Sequence, residues 1–384
     1  MRSSGVLQAA GSGAAPNGGW RCRRERGECT GWGHLGATRL SSASMTDSRT
    51  LIVSHDDVER LLPMPACIDL MADALATTAR GGALLPLRQV IMLPGGRNAF
   101  GVMPAVLAGA DGSNAIGAKV ITVFPGNADT PYDSHIGVVL YFDDVNGRLL
   151  AVVDASAVTA IRTAAVSGLA TRLLALPHAV DLAIIGAGVQ AMTHLEAMLA
   201  VRPIRRVRLW SRGAARCGAF ARWAAQRFGV TVEVCDSAES AVREAQIVCT
   251  VTASREPVVR GEWLAPGVHV NAAGAALPSA RELDTAAVVQ SRLYVDRLES
   301  AMHEAGDFLI PRDEGAIGDA HILGELGSLV EGPVHGRERD DDRTLFKSLG
   351  LAVEDVAAAR FIHERALADG SGTWVTIGGL RPAL

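Results

Sequence analysis

The sequence predicts an α/β fold in which a doubly wound parallel sheet of the Rossmann type is inserted into an α+β domain with a curved antiparallel sheet. Residues 182–185 form an apolar run that ends in Gly186-Ala187-Gly188 and is followed by a helix-compatible stretch. This is the strand–turn–helix order of a dinucleotide fingerprint. Residues 88–153 instead alternate between apolar and polar positions, with turn signals between the segments, which is typical of antiparallel strands.

The glycine turn has the residue types that a dinucleotide site needs. Gly186 permits a tight turn, and Gly188 has no Cβ, so the backbone can approach a pyrophosphate. Ala191 is the third small residue, where the helix must lie close to the strand. The start of the helix then offers unpaired N–H groups and a positive dipole end to the phosphates. An ordinary tight turn between a strand and a helix is the alternative.

Composition limits the classes of function. The chain has 384 residues, of which 48% are hydrophobic and 20% charged, so a large core is expected. A net charge of −4 argues against a generally basic surface for nucleic acid, and no apolar run has the length of a membrane span. The six cysteines form no CxxC pair, so we predict reduced thiols in a cytosolic protein, without a metal site.

The N-terminal segment differs from the rest of the chain. Residues 1–44 are rich in Gly, Ser, Ala and Arg and lack the apolar region of a secretory signal. We expect residues 1–45 to be a disordered tail or to precede a true start at Met45, with a basic transit peptide as a further alternative. We predict a substrate-binding and dimerisation domain at 46–178 plus 344–384, and a Rossmann domain at 179–343.

The elements of the first half are predicted from periodicity and capping residues. Ser54 is expected to cap a helix at Asp56–Leu62, and a second helix is expected at Pro65–Thr78. A long Ala-rich helix, Asp154–Leu176, leads to the glycine turn. Five predicted strands lie between these helices: Arg88–Leu93, Ala99–Leu107, Ala115–Phe124, Ile136–Phe142 and Leu149–Val153.

Strands and helices alternate after the glycine turn, which predicts a parallel sheet. Residues 311–343 are expected to form a loop and a short helix, because they are polar and rich in Gly, Asp and Arg. Leu345–Leu367 is predicted to be a final helical segment that does not extend the sheet and returns to the first domain. The predicted strands are Val207–Ser211, Val230–Val234, Ile247–Thr252, Val268–Ala272 and Leu293–Asp296; the predicted helices are Ala214–Phe228 and Ser237–Ala245.

Ser211 and Arg212 follow the second strand of this region, roughly 20 residues after the glycines. A site for NAD usually carries an Asp or Glu here, which binds the ribose hydroxyls. A carboxylate would repel a 2′-phosphate, whereas Ser and Arg can bind one. We therefore predict NADPH over NADH, the alternative being that Arg212 simply faces water.

Three cations lie within apolar surroundings in the first domain. Arg88 begins a predicted strand, Lys119 interrupts the apolar run 116–124, and Arg162 lies inside the Ala-rich helix. Such a lysine either extends its amine out of the sheet edge or points into a polar pocket. Three cations that converge on a cleft would suit a substrate carboxylate, because arginine binds carboxylates in a bidentate way.

Several longer segments carry a resemblance to a known family. The chain from Leu51 to the last helix resembles the ornithine cyclodeaminase/mu-crystallin family. The matching segments are Gly101-Val102-Met103-Pro104-Ala105, Arg162-Thr163-Ala164-Ala165-Val166-Ser167, Gly186-Ala187-Gly188-Val189-Gln190-Ala191, Gly261-Glu262-Trp263, Arg281-Glu282-Leu283-Asp284 and Phe346-Lys347-Ser348-Leu349-Gly350.

The resemblance implies a homodimer and a set of site residues. Arg88, Lys119 and Arg162 are the expected catalytic residues around a substrate carboxylate, and Met103 and Glu304 are the further expected substrate contacts. The expected dinucleotide contacts are Ser134, His135, Arg162, Thr163, Gly186, Gly188, Val189, Gln190, Ser211, Arg212, Thr250, Val251, Thr252, Asn271, Ala272, Ala273 and Ser348.

One position departs from the family pattern. Cyclodeaminases of the family carry an aspartate acid/base where this chain has Ala276, and a lysine where it has Ala280. An alanine cannot transfer a proton. Asp284 lies nearby, but it precedes Thr285-Ala286-Ala287 and is interpreted as a helix N-cap, with a catalytic role as the alternative.

These observations predict NAD(P)H-dependent reduction of a small cyclic ketimine or imino acid carboxylate. Imine reduction needs less proton transfer than cyclodeamination, which must also expel ammonia. An ornithine cyclodeaminase or a related amino-acid dehydrogenase is the enzymatic alternative. A non-catalytic NADPH-dependent binder of small carboxylates is the alternative from another class.

Overall fold

Two eight-stranded sheets organise the part of the chain that the computed structural model describes, which is residues 48–379. The expectation for residues 1–45 therefore lies outside the described residues. The residues from Ser48 onward group into one compact unit. The proposed division of that unit into two domains stays a prediction.

The first sheet and its helices come from the N-terminal half of the described chain. Asp154 caps the long helix α3, because its Oδ1 accepts a hydrogen bond of 2.8 Å from the N–H of Ala157. The elements are β1 (Arg49–Val53), α1 (His55–Leu61), α2 (Met64–Ala79), β2 (Ala83–Leu84), β3 (Gln89–Met92), β4 (Ala99–Ala108), β5 (Asn114–Val123), β6 (His135–Phe142), β7 (Leu149–Asp154) and α3 (Ala155–Leu174).

The second half alternates strands and helices and then returns one strand to the first sheet. The elements are β8 (Asp181–Ile185), α4 (Val189–Val201), β9 (Arg206–Trp210), α5 (Ala214–Phe228), β10 (Val232–Val234), α6 (Ala238–Val242), β11 (Ile247–Thr250), β12 (His269–Ala272), α7 (Thr285–Val289), β13 (Ser291–Val295), α8 (Leu298–Glu304), α9 (Gly306–Asp313), β14 (Ile322–Glu325), α10 (Leu326–Glu331), β15 (Arg343–Lys347), α11 (Ala352–Asp369) and β16 (Thr373–Thr376).

The first sheet contains the predicted antiparallel meander. Its order is β16-β1-β7-β6-β5-β4-β2, and β3 pairs with β4. Strands β4 to β7 pair in sequence with antiparallel register, so that Met103 lies opposite Lys119 and Lys119 opposite Val139. Buried and less buried residues alternate along β4 and β5, as expected when one face of a sheet packs on a core.

The second sheet is parallel throughout, as predicted. Its order is β10-β9-β8-β11-β12-β15-β13-β14. The chain proceeds from β8 in one direction to β9 and β10 and in the other to β11 and β12. Ligands bind at such a switch point, beside the carboxyl ends of the strands. The glycine turn after β8 lies there.

Two segments differ from the prediction. Arg343–Lys347 is strand β15, between β12 and β13, so the expectation that the segment after Leu345 does not extend the sheet is wrong. Residues 322–325 also form a strand, β14, within the region expected to be a loop and a short helix. Each strand has only two adjacent apolar residues, Ile322-Leu323 in β14 and Leu345-Phe346 in β15, so periodicity alone cannot distinguish strand from helix.

Helix α3 lies in the core and contacts both halves of the fold. It packs on α2, α4 and α11 and touches strands of both sheets, including β6 and β12. Seventeen of its 20 residues are buried, and a helix that is buried on all sides needs small residues where neighbours approach. Gly168 meets Ile68 of α2 in this way, since a Cβ there would lie 3.0 Å from Ile68 Cδ1. Arg162 is thus held on a rigid support.

Within residues 48–379, no single helix has the length and hydropathy of a membrane span. The pair α1 and α2, bent by 81°, reaches those values only when the two helices are taken together.

Replacement of Phe346 by alanine tests the assignment of β15 to the interior of the sheet. Phe346 is fully buried, so we expect Phe346→Ala to lower the free energy of unfolding by about 3–5 kcal/mol. The control is Val145→Ala, because Val145 is 89% exposed and should change stability by less than about 0.5 kcal/mol. Urea unfolding measures the free energy of unfolding of both variants. An equal loss in the two variants would contradict the assignment of β15 to the interior of the sheet.

Candidate active site

The glycine turn after β8 has the geometry that a phosphate cradle requires. Gly186 has φ +121°, and a Cβ at this position would lie 2.7 Å from the carbonyl oxygen of Val251. Only glycine fits there. At Gly188 a Cβ would meet nothing within 4 Å, so the turn borders open space that a ligand can fill.

Helix α4 begins directly at this open space. Gly188 is its N-cap residue, and no side chain caps the helix. The first N–H groups of a helix have no partner within the helix, and those of Val189 and Gln190 lie beside the turn. The residues present therefore fit the diphosphate of a dinucleotide.

The predicted dinucleotide contacts gather at the carboxyl edge of the parallel sheet. Ser211 and Arg212 follow β9, Val251 and Thr252 follow β11, Ala273 follows β12, and Ser348 follows β15. Arg212 is exposed and forms no hydrogen bond or ion pair with any described residue. Its guanidinium is free to meet a ligand at this edge.

Thr250 and Asn271 are the predicted contacts whose side chains turn inward. Thr250 is fully buried and donates to Glu282, while the Asn271 amide donates to Thr171 Oγ1 at 2.8 Å. Ala272 is also fully buried. A dinucleotide contact at these three positions would have to come from the backbone.

Four further predicted contacts lie beside or on α3. Ser134 Oγ lies 2.9 Å from His135 Nδ1, and Ser156 Oγ of α3 donates to the carbonyl of His135. Thr163 of α3 is buried. Gln190 Nε2 donates to the carbonyl of Thr159 at 3.4 Å, which joins the first turn of α4 to α3.

The predicted cations Lys119 and Arg162 come together around one carboxylate. Asp355 accepts Lys119 Nζ at 2.8 Å on Oδ2 and Arg162 Nε at 3.0 Å on Oδ1. Arg162 Nη1 also binds Glu354 Oε2 at 2.9 Å. All four side chains are nearly or fully buried. The lysine therefore points into a polar pocket and not to a sheet edge.

Arg88 approaches from the other side of the same region. Its Nη2 binds Glu304 Oε2 at 2.8 Å and donates to the carbonyls of Leu349 and Gly350 at 2.9 and 3.1 Å. Neither Nη1 of Arg88 nor Nη2 of Arg162 donates to a described residue. These N–H groups remain for a ligand.

Gly350 joins the two arginines. It has φ +78°, and a Cβ there would lie 2.3 Å from Arg162 Nη1. Asp296 Oδ2 accepts the N–H groups of Leu349 and Gly350 at 2.6 and 2.7 Å. This buried carboxylate fixes the turn, which presents its carbonyls to Arg88 and its Cα to Arg162.

Burial and neighbouring charges change the acidity of these groups. Burial and, to a smaller extent, the charge of Arg162 lower the pKa of Lys119 to about 8, although Asp355 opposes the shift. Burial raises the pKa of Glu354, which Arg162 only partly offsets. For Asp355, burial acts in the same direction, but Arg162 and Lys119 outweigh it and lower the pKa. Asp355 therefore stays ionised between the two cations.

A small cavity lies beside Arg88 and borders the predicted substrate contact Met103. Arg297, Ser300 and Gly350 also line it, together with the apolar residues Leu85, Pro86, Leu87, Leu351 and Ala352. Most of the lining is apolar, and Arg88 and Arg297 are its charged residues.

The two positions that depart from the cyclodeaminase pattern lie close to the carboxyl edge of the parallel sheet, after β12. Ala280 is buried, and Ala276 is half-buried. Asp284 Oδ1 accepts the N–H groups of Ala287 at 2.8 Å and Gly261 at 2.9 Å. Asp284 is therefore the N-cap of α7, as interpreted from the sequence.

Several site residues were not identified from the sequence. Glu354 and Asp355 bind two of the predicted cations, and Asp296 holds the turn at Gly350. The signal was present, because two adjacent carboxylates within the apolar stretch 351–359 require buried partners. From the sequence, the cations were predicted to bind a substrate carboxylate, and no carboxylate partners within the protein were predicted.

Comparison with known proteins shows the family of this chain. The family model described as "Ornithine cyclodeaminase/mu-crystallin family" matches residues 48–370. The ketimine reductase mu-crystallin of Mus musculus is 41% identical over 290 residues, which cover 74% of this chain and 86% of the mouse protein.

Two solved structures share the whole fold. The Delta(1)-pyrroline-2-carboxylate reductase of Thermococcus litoralis, in complex with NADH and L-proline, has a TM-score of 0.82 and 37% identity, covering 84% of this chain and 99% of that chain. An archaeal alanine dehydrogenase dimer with bound NAD has a TM-score of 0.80 and 32% identity, covering 86% and 100%. This chain belongs to the ornithine cyclodeaminase/mu-crystallin family.

Proposed function

We propose that this protein is an NAD(P)H-dependent oxidoreductase that reduces a small cyclic ketimine carboxylate or a related imino acid. The observation that carries the proposal is the set of three cations: Arg88 lines a small cavity, Lys119 and Arg162 are buried around Asp355, and N–H groups of the two arginines are left for a carboxylate. The similarity to a ketimine reductase and to a pyrroline-2-carboxylate reductase supports it.

The roles of the residues follow from their contacts. Arg88 and Arg162 hold the substrate carboxylate through their free N–H groups. Lys119 adds positive charge and holds a proton for the substrate nitrogen, since it is buried and lies opposite Met103, which lines the cavity. The bound dinucleotide supplies the hydride for the imine carbon. Positioning and electrostatics in a buried site provide much of the rate.

The cofactor we propose is NADPH. Exposed Arg212 and neighbouring Ser211 are positioned after β9, where a 2′-phosphate would lie. The predicted dinucleotide contacts named above are the residues we propose to hold it, with the glycine turn and the start of α4 at the diphosphate.

We also propose a homodimer in the cytosol. All residues of strand β3 are exposed, and the side chains of Val90, Ile91 and Met92 are between 49% and 62% exposed. Such an apolar patch typically marks an interface. The archaeal relative is a dimer. The cytosolic location is supported by the four cysteines of the described residues, which are free thiols.

The substrate assay distinguishes the two enzymatic functions. We expect the protein to oxidise NADPH in the presence of cyclic imino acids. With ornithine and NAD it should release ammonia about 10²–10⁴-fold more slowly than it reduces the imine. This factor is the usual contribution of an acid–base group such as the one replaced by Ala276. A panel of cyclic imines with ornithine and NAD in parallel provides the measurement. Comparable ammonia release from ornithine would overturn the ketimine assignment and direct attention to Asp284.

The pH dependence of turnover tests Lys119. Its pKa is lowered to about 8, so the protonated amine is lost, and kcat should fall, as the pH rises through about 8. Lys119→Met should lower kcat by about tenfold or more and remove this limb. Thr159→Val is the matched control, because it removes the 3.5 Å contact with Nζ and keeps the amine. An unchanged kcat in Lys119→Met would return the lysine to a structural role.

Arg212→Ala tests the cofactor preference. Loss of a charge-assisted contact with a 2′-phosphate should weaken NADPH binding by roughly 1.5–3 kcal/mol and leave NADH almost unchanged. Fluorescence titration with both dinucleotides gives the two dissociation constants. Tighter binding of NADH than NADPH by the unmodified protein would make the assignment wrong.

Ile91→Glu tests the dimer. A charge in the centre of the exposed strand β3 should produce monomers, because an interface cannot bury an unpaired carboxylate without a large cost. Val145→Glu is the control on an exposed turn between β6 and β7. Sedimentation velocity measures the mass, and a monomeric unmodified protein would contradict the proposal.

A further inference from the structure

Glu282 is a fully buried carboxylate outside the group of cations described above. We propose that it is a positioning residue, which fixes the backbone segments after β11 and β12 against each other at the dinucleotide edge of the parallel sheet. The inference rests on the proposed function, because it assumes that these two segments contact the dinucleotide near the substrate.

The contacts of Glu282 reach both segments. Oε1 accepts the N–H of Thr252 at 2.6 Å, and Oε2 accepts the N–H of Gly274 at 2.7 Å. Oε2 also accepts the hydroxyl of Thr250, the last residue of β11, at 2.8 Å. One side chain therefore joins the ends of two neighbouring strands.

The approach of the two segments depends on this carboxylate. A Cβ at Gly274 would lie 2.2 Å from the carbonyl oxygen of Thr252 and 2.5 Å from Glu282 Oε1. The segments are thus in direct backbone contact, and two N–H groups would remain buried without an acceptor if Glu282 were absent. A buried N–H without a partner is costly, so the segments would separate.

Only a group with two acceptor oxygens fits this position. Every recorded partner of the Glu282 carboxylate is a donor. A glutamine has nearly the same shape, but it must place its NH₂ group against the N–H of Thr252 or of Gly274. The substitution therefore introduces a donor–donor contact at one of the two segments and leaves the fold around it in place.

The buried ion pair of Asp307 and Lys347 holds the backbone of Glu282. The backbone N–H of Glu282 donates to Asp307 Oδ1 at 2.8 Å, and Asp307 Oδ2 binds Lys347 Nζ at 3.0 Å. Lys347 also donates to the carbonyl of Ala275, which follows Gly274. Lys347 ends β15 and precedes the turn of Ser348 to Gly350. The residue that holds the segment after β12 is therefore directly followed in the chain by the turn that binds Arg88.

This arrangement has a consequence for function. A displacement at Thr252 or Gly274 changes where the dinucleotide lies relative to the cations, and a misplacement of about 1 Å can cost about 10²-fold in rate. The carbonyl-lined turn at Gly350 keeps its own support from Asp296. Loss of the Glu282 contacts should therefore affect dinucleotide binding and turnover, and not the KM of the imine.

The experiment compares Glu282→Gln with two further variants of the full-length protein. Thr250→Val removes one donor to Oε2 with little change in volume, and Asp284→Ala, which removes a carboxylate that joins two other segments, is the matched control. Asp284 likewise accepts two backbone N–H groups from separate segments, but these are at Gly261 and Ala287, away from the dinucleotide edge. Each variant is measured by urea unfolding, by fluorescence titration with NADPH, and by kcat and KM for a cyclic imino acid.

We expect Glu282→Gln to weaken NADPH binding by about fivefold or more and to lower kcat by about tenfold or more, with the KM of the imine within about twofold. Thr250→Val should weaken NADPH binding and lower kcat in the same way, but by a smaller factor. Asp284→Ala should lose stability, because it removes the cap of α7, and keep NADPH affinity and kcat within about twofold. The titration does not need turnover, so a protein that binds NADPH but reduces no imine would refute the proposed function and still test Glu282.

Two results would overturn the inference. One is a folded Glu282→Gln with unchanged NADPH affinity and kcat; the other is an equal loss of both quantities in Asp284→Ala, which would reveal a general effect of stability. If Glu282→Gln does not fold, Thr250→Val decides, and unchanged affinity and kcat in that variant would refute the positioning role.

Discussion

The shared carboxylate of Asp355 is the interaction on which the site depends. Lys119, from β5, and Arg162, from α3, are brought within hydrogen-bond distance of the two oxygens of Asp355 on α11. Two buried cations would repel each other without it. Because the three residues come from distant parts of the chain, the site exists only when both chain ends fold together.

The turn from Lys347 to Gly350 connects the two halves of the proposed chemistry. Lys347 supports the segment after β12 through Asp307 and Ala275, whereas Gly350 contacts Arg162 and presents its carbonyl to Arg88. Strand β15 therefore does more than complete the sheet. It places the wall of the substrate cavity at a fixed distance from the dinucleotide edge, which is the geometry that a direct hydride transfer requires.

Much of this arrangement was predictable from the sequence, because its signals are local. The glycine turn and its helix have a recognisable order of residue types, and the antiparallel strands β4 to β7 alternate with period two. Lys119 and Arg162 were identified because cations are rare in apolar segments. The resemblance supplied residues such as His135, whose local sequence has no special signal.

The remaining features could not be predicted because they depend on partners distant in sequence. β15 is buried from Thr344 to Lys347 but has only two adjacent apolar residues, which fit a helix as well as a strand. Glu282 and Lys347 were part of matching segments, but their roles depend on contacts with Thr252, Gly274 and Asp307. The pairing of Asp355 with both cations likewise joins positions about 190 and 240 residues apart in the chain.

The central claim is that the buried cations recognise the carboxylate of the substrate. The most direct measurement compares NADPH oxidation with pyrroline-2-carboxylate and with the same cyclic imine lacking the carboxylate. Loss of charge-assisted, bidentate contacts to Arg88 and Arg162 should lower kcat/KM by about 10²-fold or more. Equal kcat/KM values for the two imines would contradict the account, because the cations would then serve only the fold.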